Sequence, residues 1–502
     1  MFDSLLIAAS QLVDPYNFFL IIVGTLVGLV FGFLPGVTLL TAMALFLPFT
    51  HGMKPVSVMF LFSGIMGSAP FGGSISAILF NIPGEPFNAA TCFDGYPMAR
   101  QGEASRALGI SAMASALGGL IGLVVLILLI PAIRPILFAF GPPEFFMVIL
   151  FGLVTIAVAV PGQMLKGFVA AGLGILISLI GFSPVTGVLR FNFGSQNYFW
   201  DGIKLVPFFI GIFAINEIID YFVHGGTISL SGERKDSGLA GVLRGVRDVF
   251  HHWYAVLQGS VVGLIIGILP GVGGTVSNFL AYSMARQVSK DPGRFGKGAP
   301  DAIAAVEASN NSKDGGDLLP TVAFGIPGSS TMALLLGAFI LHGINPGPLL
   351  VRDHLEIVWA IILGRLVSNL IASAIGLMAA DFLARATTIS VMYLVPVILT
   401  LAFLGAYADR ENVLDIALAI VSGVVGYVLS RCGFPVVTLV IGFVLGNIGE
   451  LAFLQSLQMS FGSYSIFFTR PISLLLFVGI VLTCLYGLYK MLREKARARE
   501  KT

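Results

Sequence analysis

The sequence predicts an all-α polytopic membrane protein of about twelve spanning helices plus re-entrant hairpins, arranged as two inverted repeats. Three observations predict it: an apolar composition, a series of long apolar segments, and a duplicated motif ending in Pro-Gly. Hydrophobic residues make up 56% of the 502 and charged residues 11%, with a mean hydropathy of +0.94. A water-facing surface takes something like 25 to 35% charged residues, so a soluble enzyme of this length is excluded. The 28 Lys and Arg against 26 Asp and Glu leave a net charge of +2, too small for the electrostatic grip of nucleic-acid binding. The solvent is the lipid bilayer, and nucleic acid is not an expected partner. Cys92, Cys432 and Cys484 lie far apart with no paired spacing, which signals neither a disulfide framework nor a zinc site.

The stretches 16–34, 107–133, 143–160, 164–181, 204–223, 255–269, 355–383, 389–408, 412–430 and 472–489 are each read as a spanning helix. Shorter apolar runs at 38–49, 74–83, 274–284 and 318–326 are cut by Pro and Gly and are expected as halves of hairpins or broken helices. No Lys or Arg precedes Lys54, so no cleavable leader is expected. The tail from Lys490 carries Arg493, Lys495, Arg497, Arg499 and Lys501, which places the C-terminus in the cytoplasm. The expected organisation is a first repeat over 1–223, a cytoplasmic linker over 224–254, a second repeat over 255–489 and a basic cytoplasmic tail over 490–502.

The duplication is explicit. Gly24 to Gly36 reads GTLVGLVFGFLPG and Gly259 to Gly271 reads GSVVGLIIGILPG, identical at eight of thirteen positions with a constant offset of 235. A second pair follows in the same order, GGSISAILFNIPG from Gly72 and GGDLLPTVAFGIPG from Gly315. Glycine stands at 61 of 502 residues, and one glycine per turn at Gly24, Gly28, Gly32 and at Gly259, Gly263, Gly267 lets a neighbouring backbone approach. Pro35 and Pro270 end the stripes and interrupt the helix at membrane depth. The first copy enters from the expected outside and the second from the expected inside, so the halves are expected to be inverted, with a substrate site between them.

After each break come small hydroxyl and amide residues. Helix N-termini carry unpaired N–H groups and partial positive charge, so they can hold carboxylates. The expected substrate residues are Gly36, Thr38, Ser74, Ser76 and Asn81 in the first half, and Gly271, Gly273, Thr275, Asn278, Gly328, Ser329 and Ser330 in the second. Exposed helix C-terminal carbonyls with Asn and Thr oxygens suit a hard cation, so Na⁺ or H⁺ is the expected coupling ion. Its expected residues are Thr41, Asn88, Ser277, Asn310, Asn311 and Thr331. No resident cofactor or metal is expected. Glu307, Asn310 and Asn311 share one face of a helix in the most polar run, residues 295–316. Charged residues near apolar segments, Glu217 and Arg365 among them, are expected to sit at helix ends and snorkel.

With these residues in place, the chain resembles the large membrane subunit of the tripartite tricarboxylate transporters. The resemblance covers almost the whole chain and rests on GFLPGVT, GGSISAILFNIPG with DGYPMARQGEASRALG, GILPGVGGTVSNFLAY, RFGKGAPDAIAAVEASNNSKDGGDLLP and FGIPGSSTMALLLGAFILHGINPGP. It implies a permease of the bacterial cytoplasmic membrane working with a small membrane subunit of about four helices and a periplasmic solute-binding protein. It further implies cation-coupled import of citrate-like tricarboxylates, with dicarboxylates and aromatic acids as related substrates. Glu85 departs from the pattern, since relatives often carry a small residue after I-P-G, and this puts substrate size or charge preference in question.

Two other readings stand beside the secondary transporter. An organic-anion channel is compatible with the same breaks. An intramembrane enzyme needs a nucleophile or metal motif such as H-E-x-x-H, and no such motif occurs in the sequence.

Overall fold

The residue before a proline is driven out of the helical region, and both halves of the chain obey this at the same place. In the computed structural model the first stripe helix, Pro15–Phe33, ends at Leu34 with φ −80° and ψ 107°, and the second, Trp253–Ile268, ends at Leu269 with φ −84° and ψ 109°. The structure describes the chain except residues 1, 35–36, 138–139, 160–163, 184–186, 196–197, 201, 225–238, 271–272, 387–390, 409–410 and 500–502. Gly36, Gly271 and residues 225–238 of the expected linker therefore lie outside the described residues.

Each stripe helix packs on a core helix, the first on Pro55–Phe80 and the second on Pro300–Phe324. The glycines set the distance. A Cβ on Gly24, Gly28 or Gly32 would stand 2.2 Å from Leu61 O, 2.3 Å from Ile65 O and 2.2 Å from Ala69 O. On Gly259, Gly263 or Gly267 it would stand 2.1 Å from Ala305 O, 2.4 Å from Ser309 O and 2.3 Å from Lys313 O. Leu61 and Ala305, Ile65 and Ser309, and Ala69 and Lys313 are each 244 positions apart, so the repeat extends from the stripes to the helices they touch. The core helices also end alike, in the left-handed region at Asn81 (φ 58°) and Gly325 (φ 69°).

A crossing helix from each half reaches the other half's core. In the first, Ala104–Leu137, a Cβ on Gly118 would meet Ala308 O at 2.3 Å. In the second, Leu355–Ala386, Ser368 Oγ donates to Gly64 O at 2.7 Å. This exchange is reciprocal, which is what a two-fold relation between the halves requires.

Among the described residues seven helices are long and apolar enough to cross a membrane, or eight counting one bent pair as a single span. That is fewer than the twelve crossings expected, partly because Pro142–Val158, Met164–Ser178 and Val395–Ala408 are shorter. The stretch 204–223 is interrupted by π-helical turns over Ile210–Ile215. The segments 74–83 and 318–326 are not hairpin halves. They are the ends of core helices that run on through Pro70 and Pro320. The helix Val436–Met459 is absent from the sequence-based spans altogether. Part of the expected linker is helical, over Leu239–His251, bent by 74° from the second stripe helix as an amphipathic surface helix would be. The basic tail continues a helix through Arg499.

Asp94 ties the halves together at one end. Its buried carboxylate accepts from the N–H groups of Gly296 (2.9 Å), Lys297 (3.1 Å), Gly298 (2.8 Å) and Ala299 (2.7 Å) and from Tyr282 OH (2.9 Å). Gly296 (φ 84°) and Gly298 (φ 97°) supply the positive φ that points successive N–H groups inward, forming an anion-binding nest at the start of the second core helix.

Asp94→Ala is expected to strip the nest of its acceptor, lowering thermal stability in detergent by about 3 kcal/mol, with Asp94→Asn intermediate. An unchanged melting temperature for Asp94→Ala would remove the clamp from the account. Gly28→Ala and Gly263→Ala should each cost about 1 to 3 kcal/mol by forcing the helices apart. Gly172→Ala, with open space around it, should be neutral or stabilising; equal melting temperatures for all three would refute backbone contact along the stripes.

Candidate functional site

Beyond each core helix the I-P-G element folds back onto its stripe helix. A Cβ on Gly84 would lie 1.9 Å from Gly32 O, and one on Gly328 would lie 3.1 Å from Gly267 O and 3.0 Å from Asp317 Cα. Gly84 and Gly328 are again 244 apart, so both halves bring the end of the stripe, the core helix and the I-P-G turn to one place. The side chains gathered there differ sharply between the halves.

In the first half the helix after the break, Leu39–Phe46, begins at Thr38, whose Oγ1 accepts from Thr41 N at 3.5 Å. The expected anion at this N-terminus is present, but it is the protein's own. Glu85, 4% exposed, accepts from Leu39 N, and Glu217 accepts from Thr41 Oγ1 with Thr38 beside it. This corrects the expectation that Thr38 faces a substrate carboxylate. The helix terminus attracts a carboxylate as helix electrostatics require, and Glu85 already supplies one. Thr41, expected on a cation, is bonded to Glu217. Glu217 is half-buried and hydrogen-bonded, which also corrects the snorkelling expectation for that residue.

Of the other first-half residues, Ser76 donates to Gly73 O (2.9 Å), and Asn81 is exposed at the helix end. Ser74, expected on an anion, lies 2.8 Å from both oxygens of Glu307. A substrate carboxylate beside Glu307 would meet like charge, which sets Ser74 apart from the expected anion site. Asn88 joins the same cluster, donating to Ser74 Oγ (2.8 Å) and Pro70 O (3.1 Å).

The second half gathers basic groups instead. Lys313, 7% exposed, donates to Asp317 at 2.5 Å and lies 3.5 Å from Asp314, which is paired in turn with Arg365, 4% exposed. The second core helix is buried from Asp301 to Ala323 except at Asp314, so these charges face protein. Arg365 is thus an interior ion-paired residue, against the snorkelling expectation. Sequence reasoning also passed over Lys313, Asp314 and Asp317, because a helix this polar does not read as a span.

The helix after the second break, Gly273–Val288, begins beside this cluster: a Cβ on Gly274 would lie 3.1 Å from Lys313 Cε and 3.2 Å from Phe87 Cβ. Asn278 donates to Phe87 O at 2.8 Å, bringing the first half's I-P-G segment against it. Ser329, the N-cap of Ser330–Leu341, lies against Asp317 but without good hydrogen-bond geometry. Several buried polar atoms here have no hydrogen-bond partner among the described residues: Arg365 Nη1, Asn310 Nδ2, Ser329 Oγ, Asn278 Oδ1 and Asn311 Oδ1. The first two can only donate, which suits a carboxylate.

The remaining residues take simpler places. Ser277 and Ser309 hydrogen-bond to each other at 2.7 Å, and Asn311 Nδ2 donates to Asn369 Oδ1 at 3.2 Å on the second crossing helix. Gly273 (φ 78°), Thr275, Ser330 and Thr331 are half-buried in the first turns of the two helices. A cavity of about 430 Å³ bordered by Ser178, Arg190, Trp200 and Glu450 includes none of these residues, and its Arg190 is paired with Glu450 at 2.7 Å.

No solved structure matches the chain. The uncharacterized 52.8 kDa protein in the TAR-I ttuC' 3' region of Agrobacterium vitis is 33% identical over 491 residues, covering 96% of this chain and 95% of that protein. An uncharacterized protein in the TAR-II ttuC' 3' region of the same organism is 36% identical over 234 residues, covering 46% of this chain and 96% of that protein. Residues 18–441 match the tripartite tricarboxylate transporter TctA family. That span takes in both breaks, both core helices and the Glu85, Glu307 and Lys313 clusters, and the chain belongs to this family, as a multi-pass membrane subunit of a tripartite tricarboxylate transporter.

Proposed function

We propose that the protein is the permease of a cation-coupled secondary transporter that imports tricarboxylates or related organic acids across a bacterial cytoplasmic membrane, with its C-terminus in the cytoplasm. A periplasmic solute-binding protein delivers the acid, and a small membrane subunit of about four helices completes the assembly. The part bearing the two Pro-Gly breaks moves against a scaffold of the remaining helices to give alternating access. The observation that carries this reading is the buried Lys313 and Arg365 beside the second break, with donors at Arg365 Nη1 and Asn310 Nδ2 unsatisfied among the described residues.

Chemistry supports the assignment in three steps. A buried donor without a partner costs about 1 to 3 kcal/mol, and a substrate carboxylate would accept from it. The N-termini of Gly273–Val288 and Ser330–Leu341 add partial positive charge at the same place. Lys313 and Arg365 are offset by Asp314 and Asp317, so the cluster carries no net positive charge for an incoming polyanion. Burying two or three carboxylates there costs several kcal/mol per charge, and a co-transported cation offsets it. The same argument sets a channel apart, since flux through a channel needs no stoichiometric cation.

The test is uptake of labelled citrate by proteoliposomes holding the whole assembly, with the binding protein added, with and without a Na⁺ gradient. Uptake is expected to require both the binding protein and a cation gradient; flux indifferent to both would favour the channel. The double variant Lys313→Gln/Asp317→Asn removes both charges while keeping a hydrogen-bonding pair. It is expected to keep its melting temperature and raise the half-saturation concentration at least about tenfold, the loss of one charge-assisted hydrogen bond. Unchanged kinetics in a folded double variant would move the acid elsewhere.

A further inference from the structure

Glu307 stands on the second core helix, two turns from its start, 0% exposed, and no basic side chain pairs with it among the described residues. Hydroxyls surround it instead. Ser74 Oγ lies 2.8 Å from both carboxylate oxygens, Thr91 Oγ1 donates to Oε1 at 2.6 Å, and Ser115 Oγ donates to Oε2 at 3.0 Å. Ser111 Oγ also lies against the carboxylate, is 0% exposed and makes no hydrogen bond of good geometry. Asn88 holds Ser74 through Nδ2, and its own buried Oδ1 has no partner among the described residues. These oxygens come from both halves: the first core helix, the segment after it, the first crossing helix and the second core helix.

We infer that Glu307, with the hydroxyls of Ser74, Thr91, Ser111 and Ser115, is the binding site of a single Na⁺ ion. An ionisable group buried in a membrane protein without a counter-charge is costly to hold and marks an ion path. The ligand set contains only oxygens, which suits a hard cation. One carboxylate balances one positive charge, which selects a monovalent ion over Ca²⁺ or Mg²⁺, whose sites use more carboxylates or waters. Each hydroxyl can swing its proton away from Glu307 and turn a lone pair toward the ion, so the site forms by rotation of side chains already in place.

Position gives the ion its effect. Glu307 and Lys313 are six residues apart on one helix, about 9 Å along its axis, so a cation at Glu307 adds positive charge close to the proposed acid site. Asn278 and Asn88 flank the same I-P-G segment, linking the two clusters through Phe87. The inference rests on the cation-coupled reading above, and its test measures binding alone, so failure of transport and failure of the ion site are separable.

The test is equilibrium binding of radioactive Na⁺ to the purified protein in detergent at neutral pH without any organic acid. Wild type should bind saturably, with label displaced by Na⁺ and not by K⁺. Glu307→Gln should lose binding, and Thr91→Ala and Ser111→Ala should each weaken it by about tenfold, the scale seen when groups supporting a metal site are removed. Glu450→Gln, whose carboxylate is taken by Arg190 at 2.7 Å, should bind as wild type does. Retained Na⁺ affinity in a folded Glu307→Gln overturns the site. If that variant fails to fold, unchanged affinity in both Thr91→Ala and Ser111→Ala overturns it equally. A wild type that ignores Na⁺ but binds citrate with a steep dependence on pH would hand Glu307 to a proton and refute the proposal.

Discussion

Contact between backbones along the two glycine stripes is the constraint from which the rest follows. Where a Cβ would stand 2.1 to 2.4 Å from a carbonyl oxygen of the next helix, two helices share one cylinder of space. Hydrophobic driving force does not assemble helices within lipid, so van der Waals contact and hydrogen bonding at such distances must. The core helices are then sheathed on several sides. A sheathed helix can carry Glu307, Lys313, Asp314 and Asp317 at membrane depth, because its neighbours are protein and the charges never meet hydrocarbon.

The breaks were legible in the sequence because the cause is local. A proline acts on the residue before it, and Leu34 and Leu269 take almost the same dihedral angles as a result. The stripes were legible for the same reason: one glycine per turn is a pattern within a single helix. The core helices were not. Pro70 and Pro320 lie inside them, and hydropathy rejects Pro300–Phe324 outright, since apolarity reports contact with lipid and this helix has almost none. The Asp94 nest was visible only as two matching strings, DGYPMARQG and RFGKGAPDA. That one supplies a carboxylate and the other supplies N–H groups is a fact about two segments some two hundred residues apart.

The candidate site shows the same division. Asn278, Ser329 and Asn88 lie among the converging segments. What the helix termini meet was not readable, because it is decided by side chains arriving from elsewhere. Glu217 reaches Thr41 from 176 positions away, and Ser74 reaches Glu307 from 233.

A two-fold fold would offer two equivalent sites if sequence followed backbone, and here it does not. The position after I-P-G is Glu85 in the first half and Ser329, its counterpart 244 positions on, in the second. The counterparts of Lys313 and Asp317 are Ala69 and Gly73. In the first half, therefore, a carboxylate built into the chain occupies the helix terminus, and among the described residues no buried base accompanies it. In the second, a hydroxyl stands at that position, and Lys313 stands next to the start of the following helix. The pseudo-symmetric frame thus presents one terminus already neutralised and one still able to take an anion. This asymmetry, added by a few side chains to a duplicated scaffold, is what favours the proposed acid site in the second half over an equivalent one in the first. With Glu307 reaching across to Ser74 and Thr91 of the other half, the proposed ion site is shared between the two copies, so on that proposal relative movement of the halves alters cation and acid affinity together.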